Sequence, residues 1–191
     1  MKEEGMKRNN SGSSLPVRQG TPGGTAVASV PGGQVARGAA TGSTMSSADA
    51  KQLVDYHNQV RAEVGVGKLS WSPELASYAQ EWADHLAKKG KFEHRPASEK
   101  KFGENLAAGS HPGYNGLSGA QGWYGEKSLY KARAPFSVEF MEAGHYTQMV
   151  WRGSTQIGAA TAVCTKGKYK GWTIVVCNYN PGGNMLGQPA Y

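Results

Sequence analysis

Five histidines, two cysteines and fourteen carboxylates are the side chains of this 191-residue chain best suited to hold a metal or move a proton near neutral pH. Imidazole beside carboxylate serves both kinds of chemistry. A neutral ring nitrogen binds zinc, and neighbouring carboxylates and imidazoles split their pKa values into an acid and a base. The spacings that mark common catalysts are missing. There is no His-Glu-x-x-His, no Gly-x-Ser-x-Gly elbow, no Gly-x-x-x-x-Gly-Lys-Ser/Thr phosphate loop and no Cys-x-x-Cys. Four segments stand out instead: His57-Asn58-x-x-Arg61, Gly103-Glu104-Asn105-Leu106-Ala107, Gly144-His145-Tyr146-Thr147-Gln148-x-Val150-Trp151, and Cys177-Asn178-Tyr179-x-Pro181-x-Gly183-Asn184.

Within these segments some residues read as structural. His57 falls on the apolar face of a helix and reads as a hydrogen-bonded core histidine, with Arg61 four residues on as the structural partner of an acidic group. His85 and His111 read as bystanders, and Trp82, Trp123, Trp151 and Trp172 as core. Cys164 and Cys177 allow at most one intramolecular disulfide, or equally two buried thiols.

The elements that position these residues follow from periodicity and caps. Ser46 with Asp49 starts a first helix that carries Leu53, His57, Val60 and Val64 on one face and ends near Gly65. Ser72 as N-cap and Pro73 at the first position start a second, with Leu75, Tyr78, Ala79, Trp82 and Leu86 on one face and Lys88-Lys89-Gly90 closing it. From Lys91 to Ser118 the chain reads as loop. Trp123, Glu126 and Tyr130 then recur at helical spacing and predict a third helix. The stretches 157–164 and 172–179 read as strands joined by the polar connection 165–171, a hairpin. Helices first and adjacent antiparallel strands last predict an α+β layered domain.

Nowhere do 18 apolar residues run together, so a membrane-spanning helix is not expected and the chain reads as soluble. The first 46 residues hold 9 Gly, 6 Ser and 3 Pro with almost no large apolar side chains, too little to offset the entropy of ordering, so 1–46 is expected to be a disordered tail before one domain at 47–191. Of the net charge of +7, five basic and two acidic residues lie in that tail, which leaves the domain at +4. Its basic residues alternate with acidic ones instead of forming a stripe, so nucleic acid is not an expected partner, while weak attraction to an acidic membrane or wall surface is. The stretch after Met1 lacks the apolar run of a secretory signal.

The four segments, in this order over residues 49–191, resemble the CAP superfamily (cysteine-rich secretory proteins, antigen 5, pathogenesis-related proteins), most closely its plant-type pathogenesis-related class 1 branch. The resemblance implies a three-layer α-β-α sandwich with a mainly antiparallel central sheet. It implies a cleft in which His94, Glu104, Glu126 and His145 gather, with Glu139 and Glu142 as rivals to Glu126 and Asn105 in a structural role. His94 precedes Glu104 by ten residues, a longer interval than is usual. Such a set would hold zinc or another divalent cation weakly, with water in the open positions.

The resemblance also implies a disulfide between Cys164 and Cys177, with Ala159 where another family cysteine is common. A tight hairpin would set Cys164 opposite a residue near Trp172, so that bond would need a bulge. The implied function is an extracellular, defence-associated binding protein for sterols or fatty acids, with Met141, Tyr146, Met149 and 181–191 as material for an apolar groove. Two alternatives are a metal-assisted hydrolase, with Glu104 or Glu126 as general base, and a precursor releasing Pro181–Tyr191 as a signalling peptide. Enzymatic activity is the lesser expectation, and the sequence leaves the oligomeric state open.

Overall fold

The structure, a computed structural model, describes residues 41–191. The first helix, α1 (Ser47–Glu63), starts where Ser46 accepts a hydrogen bond from the Asp49 N–H at 3.1 Å, and it buries Ala50, Leu53, His57, Val60 and Arg61. A two-residue strand, β1 (Ser70–Trp71), leads into α2 (Pro73–Lys89). Ser72 caps α2 by accepting from Leu75 N–H, Pro73 occupies its first position, and Gly90 ends it at φ 70°, a left-handed conformation that glycine adopts without steric cost.

After α2 come β2 (Gly103–Gly109), α3 (Gly116–Tyr124), two 3-10 segments at Gly125–Leu129 and Val138–Ala143, α4 (Gly144–Met149), β3 (Gln156–Val163) and β4 (Thr173–Asn180). The sheet order is β1-β3-β4-β2, with β1 parallel to β3 and the other pairs antiparallel. Alternation along β4 decides which layer each side chain meets. Ile174 and Val176 join Ala79, Ala83 and Leu86 of α2 on one face. Val175, Cys177 and Tyr179 join Leu53, Val60, Trp123, Tyr146 and Met149 on the other, so helices cover both faces. The α2 layer rests directly on Gly158, where a Cβ would come within 2.2 Å of the Ala76 nitrogen.

Several sequence expectations change. The stretch 91–118 is not all loop, because Gly103 to Gly109 pairs residue by residue with Tyr179 to Thr173. The third helix starts earlier than its Trp123–Tyr130 pattern, at Gly116, where Asn115 and Ser118 cap each other, and the expected stretch beyond Tyr124 is 3-10. The expected tail 1–46 lies outside the described residues up to position 40. Its last part is packed: Thr44 N–H donates to Gln80 Oε1 at 2.9 Å, Thr44 Oγ1 donates to Thr161 O, and Trp71 Nε1 donates to Thr41 O at 3.0 Å.

The hairpin register also removes the Cys164–Cys177 disulfide, since both cysteines are free and buried. Cys164 N–H bonds Trp172 O at 2.8 Å, so Cys177 lies five residues further along β4. At about 3.4 Å per residue this is roughly 17 Å, far outside disulfide reach. The two thiols also face opposite layers of the sandwich, and the residue opposite Cys177 on β3 is Ala159.

Candidate functional site

His94 lies in the segment after α2, and His145 in the first turn of α4. Each ring gives its Nδ1 to a carboxylate: His94 to Glu104 Oε1 at 2.7 Å, His145 to Glu126 Oε1 at 2.6 Å. Nε2 of each ring is left without a hydrogen bond among the described residues. A carboxylate behind an imidazole fixes the ring's orientation and tautomer, the arrangement found behind many metal-bound histidines.

Different elements make the two pairs. Glu104 belongs to β2, an edge strand of the sheet, with its side chain fully buried on the α2 side, while the His94 ring is half exposed. The Arg95 N–H donates to the same Oε1 at 3.1 Å, so Glu104 anchors the His94–Arg95 backbone as well as the ring. Glu126 reaches up from the first 3-10 segment to the start of α4, where its Oε2 accepts the N–H groups of His145 at 3.0 Å and Tyr146 at 3.2 Å. Those are N–H groups that a helix start leaves without intrahelical partners, and a carboxylate there also complements the helix dipole. The structure therefore places Glu126, and neither rival, against His145; Glu139 and Glu142 lie in the exposed 3-10 segment that precedes α4.

Asn105 links the two pairs. It follows Glu104 on β2 and faces the opposite layer, where its Nδ2 donates to His145 O at 3.0 Å. Sequence reasoning missed Trp123 as part of the site: its ring stacks on His145 with centroids 6.1 Å apart and its Nε1 donates to Leu106 O. It also missed Gln148 and Asn184. Gln148 Oε1 accepts Gly183 N–H at 2.8 Å, and Asn184 bonds Gly144 O and Thr147 Oγ1 at 2.7 Å each, tying the last turn to α4. Asn184 and Gly183 lie in the last of the four motif segments, which was the available signal; Arg95, buried with its guanidinium 3.9 Å over the Tyr78 ring, carried none.

His57 and Arg61 are structural, with one difference from expectation. His57 Nδ1 bonds Leu53 O at 2.8 Å, and burial pushes its pKa down to about 4, so it is neutral. Among the described residues Arg61 meets no acid: its guanidinium donates to the carbonyls of Gly67, Met149, Trp151 and Ser154 at 2.6 to 2.9 Å. Burial draws its pKa down to about 10, which leaves it charged at neutral pH. It ties α1 to Gly67 and to the 149–154 stretch through four backbone acceptors.

Two further surfaces stand out. A groove of about 470 Å³ on the outer side of α2 is lined by Glu81, Trp82, His85, Lys88, Arg95 and Glu99, and touches none of the four His and Glu residues above. Of the residues expected to line an apolar groove, Tyr146 and Met149 are wholly buried in the core, whereas Met141 is exposed. Exposed with it are Val138, Met185 and Leu186. Their segments run side by side, clipped by Phe136–Gln188 and Gly187–Phe136 backbone bonds at one end and by Asn184–Gly144 at the other. Among the described residues no three His, Cys, Asp or Glu side chains converge as a ready metal cage.

Residues 54–179 match the model of the CAP (cysteine-rich secretory protein) family. The chain belongs to the CAP family. Relatives include pathogenesis-related protein 1C of Nicotiana tabacum, 39% identical over 141 residues that span 74% of this chain and 80% of that protein. Another is the pathogenesis-related protein of PR-1 type from Sambucus nigra, 35% identical over 74% of this chain and 81% of that one. Among solved structures, NaASP2 with Zn2+ superposes with a TM-score of 0.66 at 24% identity, over 77% of this chain and 86% of the other. BmVAL-1 superposes at 0.64 and 25% identity, over 84% and 85%. The CAP sandwich and its pathogenesis-related kinship are thus established.

Proposed function

We propose that this CAP protein is an extracellular, defence-type binding protein that takes a sterol or related uncharged lipid on its exposed apolar surface. The reading rests on one observation: Val138, Met141, Met185 and Leu186 stand exposed on two segments clipped together at both ends. Large apolar side chains exposed together on neighbouring segments are the material of a binding surface. The segment 131–142 carries Lys131 and Arg133 against Glu139 and Glu142, so its charges cancel, which suits an uncharged lipid better than an anionic headgroup. The extracellular assignment rests on kinship with pathogenesis-related proteins.

The two His–Glu pairs would hold a divalent cation as an accessory. Their residues fit it in part: Nε2 of His94 and of His145 are the available donors, each backed by a carboxylate, and water would complete the shell. Bound there, the cation would polarise a water, which is the chemistry a hydrolase would need; two protein ligands make for weak, facultative binding. The peptide-precursor reading has less support. Arg152 N–H bonds Ala190 O, and Ala190 N–H bonds Tyr130 Oη at 3.1 Å, so release of 181–191 has to strip a packed segment from the body.

A fluorescent sterol titrated into the wild type and into Met141→Ser/Leu186→Ser tests the proposal. Saturable binding at low micromolar concentration, weakened about tenfold or more in the variant, is expected; equal binding by both would remove the lipid assignment from this surface.

A further inference from the structure

The buried polar residues on the α1 side of the sheet form a chain with a fixed direction. Leu53 O only accepts, so His57 Nδ1 carries the proton and donates to it at 2.8 Å. Nε2 of His57 is then an acceptor, and Tyr179 Oη, 2.9 Å away, donates to it. With its proton spent, Tyr179 Oη only accepts, and Asn105 Nδ2 supplies a hydrogen at 3.3 Å, the longest link. The other Nδ2 hydrogen goes to His145 O at 3.0 Å. His57, Tyr179 and Asn105 are all buried. Burial keeps His57 neutral and pushes Tyr179 well above its ordinary range, so no member carries charge. Cys177 lies beside the same hydroxyl with its thiol pushed up to about 12, adding a weak neutral partner.

We infer that Asn105, Tyr179 and His57 form a positioning relay that sets His145 from inside the core. His145 is fixed at every polar atom but one. Its N–H and Nδ1 are held by Glu126, its ring lies against Trp123, and its carbonyl is held by Asn105. The outstanding atom is Nε2, the one that faces a ligand. The relay joins α1, β4, β2 and α4 through one continuous series of bonds, with Cys177 as a weak side partner at Tyr179, inside a cluster that is otherwise apolar. A buried polar side chain is tolerated there only with its bonds made, and these end on the backbone of His145. Asn105, Tyr179 and His57 are therefore positioning residues: they touch no ligand and act through the placement of α4. The inference rests on the reading of His145 as a ligand-holding residue.

The test uses the full chain without added metal, and reads the His145 ring nitrogens and Cε1 by NMR in wild type, Tyr179→Phe, Asn105→Ala and the double variant. Leu86→Ala, in the opposite layer, controls for lost stability alone. The same set is then titrated with zinc. Expected are shifted His145 resonances in Tyr179→Phe, a larger shift in Asn105→Ala, and a double variant indistinguishable from Asn105→Ala, because cutting the relay next to His145 silences everything behind it. Leu86→Ala is expected to leave the His145 resonances in place, and zinc affinity to fall about fivefold in Tyr179→Phe. Unmoved His145 resonances in Tyr179→Phe, or additive effects in the double variant, would overturn the relay. A wild type that binds no zinc would instead overturn the metal reading, and the resonance shifts would still decide the relay; should Asn105→Ala fail to fold, Tyr179→Phe alone decides it.

Discussion

Arg61 and His57 show how much a buried polar residue does when its partners are backbone. Arg61→Met keeps most of the side-chain volume but removes the guanidinium's hydrogen bonds to the carbonyls of Gly67, Met149, Trp151 and Ser154, of which Trp151 O keeps the Ser154 N–H. At about 1 to 3 kcal/mol for each acceptor that stays buried, offset by relief of a desolvated charge, the expected loss is about 3 to 5 kcal/mol in urea unfolding. His57 makes stability depend on pH. The folded protein takes up its proton only near pH 4, whereas the unfolded chain does so near 6.5. Between those values the unfolded state binds more protons, so stability falls as pH falls through the window, by at most about 1.4 kcal/mol per pH unit, and the contribution is constant above it. Unfolding curves of wild type and His57→Gln at pH 7.5 and 4.5 check this; the gap between the two proteins is expected to narrow at the lower pH. At this scale the sequence announced that His57 was core, through its place on the apolar face. It did not announce that Arg61 would find carbonyls in place of an acid, because three of the four acceptors lie some ninety residues away in the chain.

The elements most legible in the sequence were those with local punctuation. Ser46, Ser72, Pro73 and Gly90 mark the ends of α1 and α2 because a cap is a contact between near neighbours. Gly103–Gly109 was hidden: glycines, alanines, Glu104 and Asn105 carry no β-branched signal, and only pairing with β4 makes the segment a strand. The six residues of α4 were hidden likewise, since a helix that short has no room for periodicity and is held by Glu126 and Asn105 from elsewhere. Hence His145 was legible as a residue while its setting was not. The hairpin register yields a sharp expectation for the cysteines. Ala159 and Cys177 are direct partners on β3 and β4, and Cα atoms of such partners lie about 4.5 to 5.5 Å apart, within disulfide range. Ala159→Cys is therefore expected to cross-link with Cys177 under mild oxidation, seen as a loss of two hydrogens in intact mass, whereas Cys164 stays free. A cross-link between Cys164 and Cys177 in the wild type would contradict the register.

At the scale of the whole molecule, the α-β-α sandwich separates two kinds of surface. The α2 side carries a charged groove, and the side built from the 3-10 segments, α4 and the last turn carries exposed methionines and aliphatics. Among the described residues no helix is long and apolar enough to cross a membrane, and the proposed lipid contact belongs to that second surface. Of the histidine pairs, one rests on Glu104 of an edge strand and the other on a helix start, and Asn105 joins those two elements. Native mass spectrometry of the full chain, purified with zinc and a sterol present, measures both occupants in one spectrum. Wild type is compared with His94→Ala/His145→Ala and with Met141→Ser/Leu186→Ser. A lipid adduct that survives the histidine changes and disappears with the apolar changes is the expected result. A lipid adduct that is lost with the histidines and kept by Met141→Ser/Leu186→Ser would contradict it, and so would the absence of any lipid adduct in the wild type.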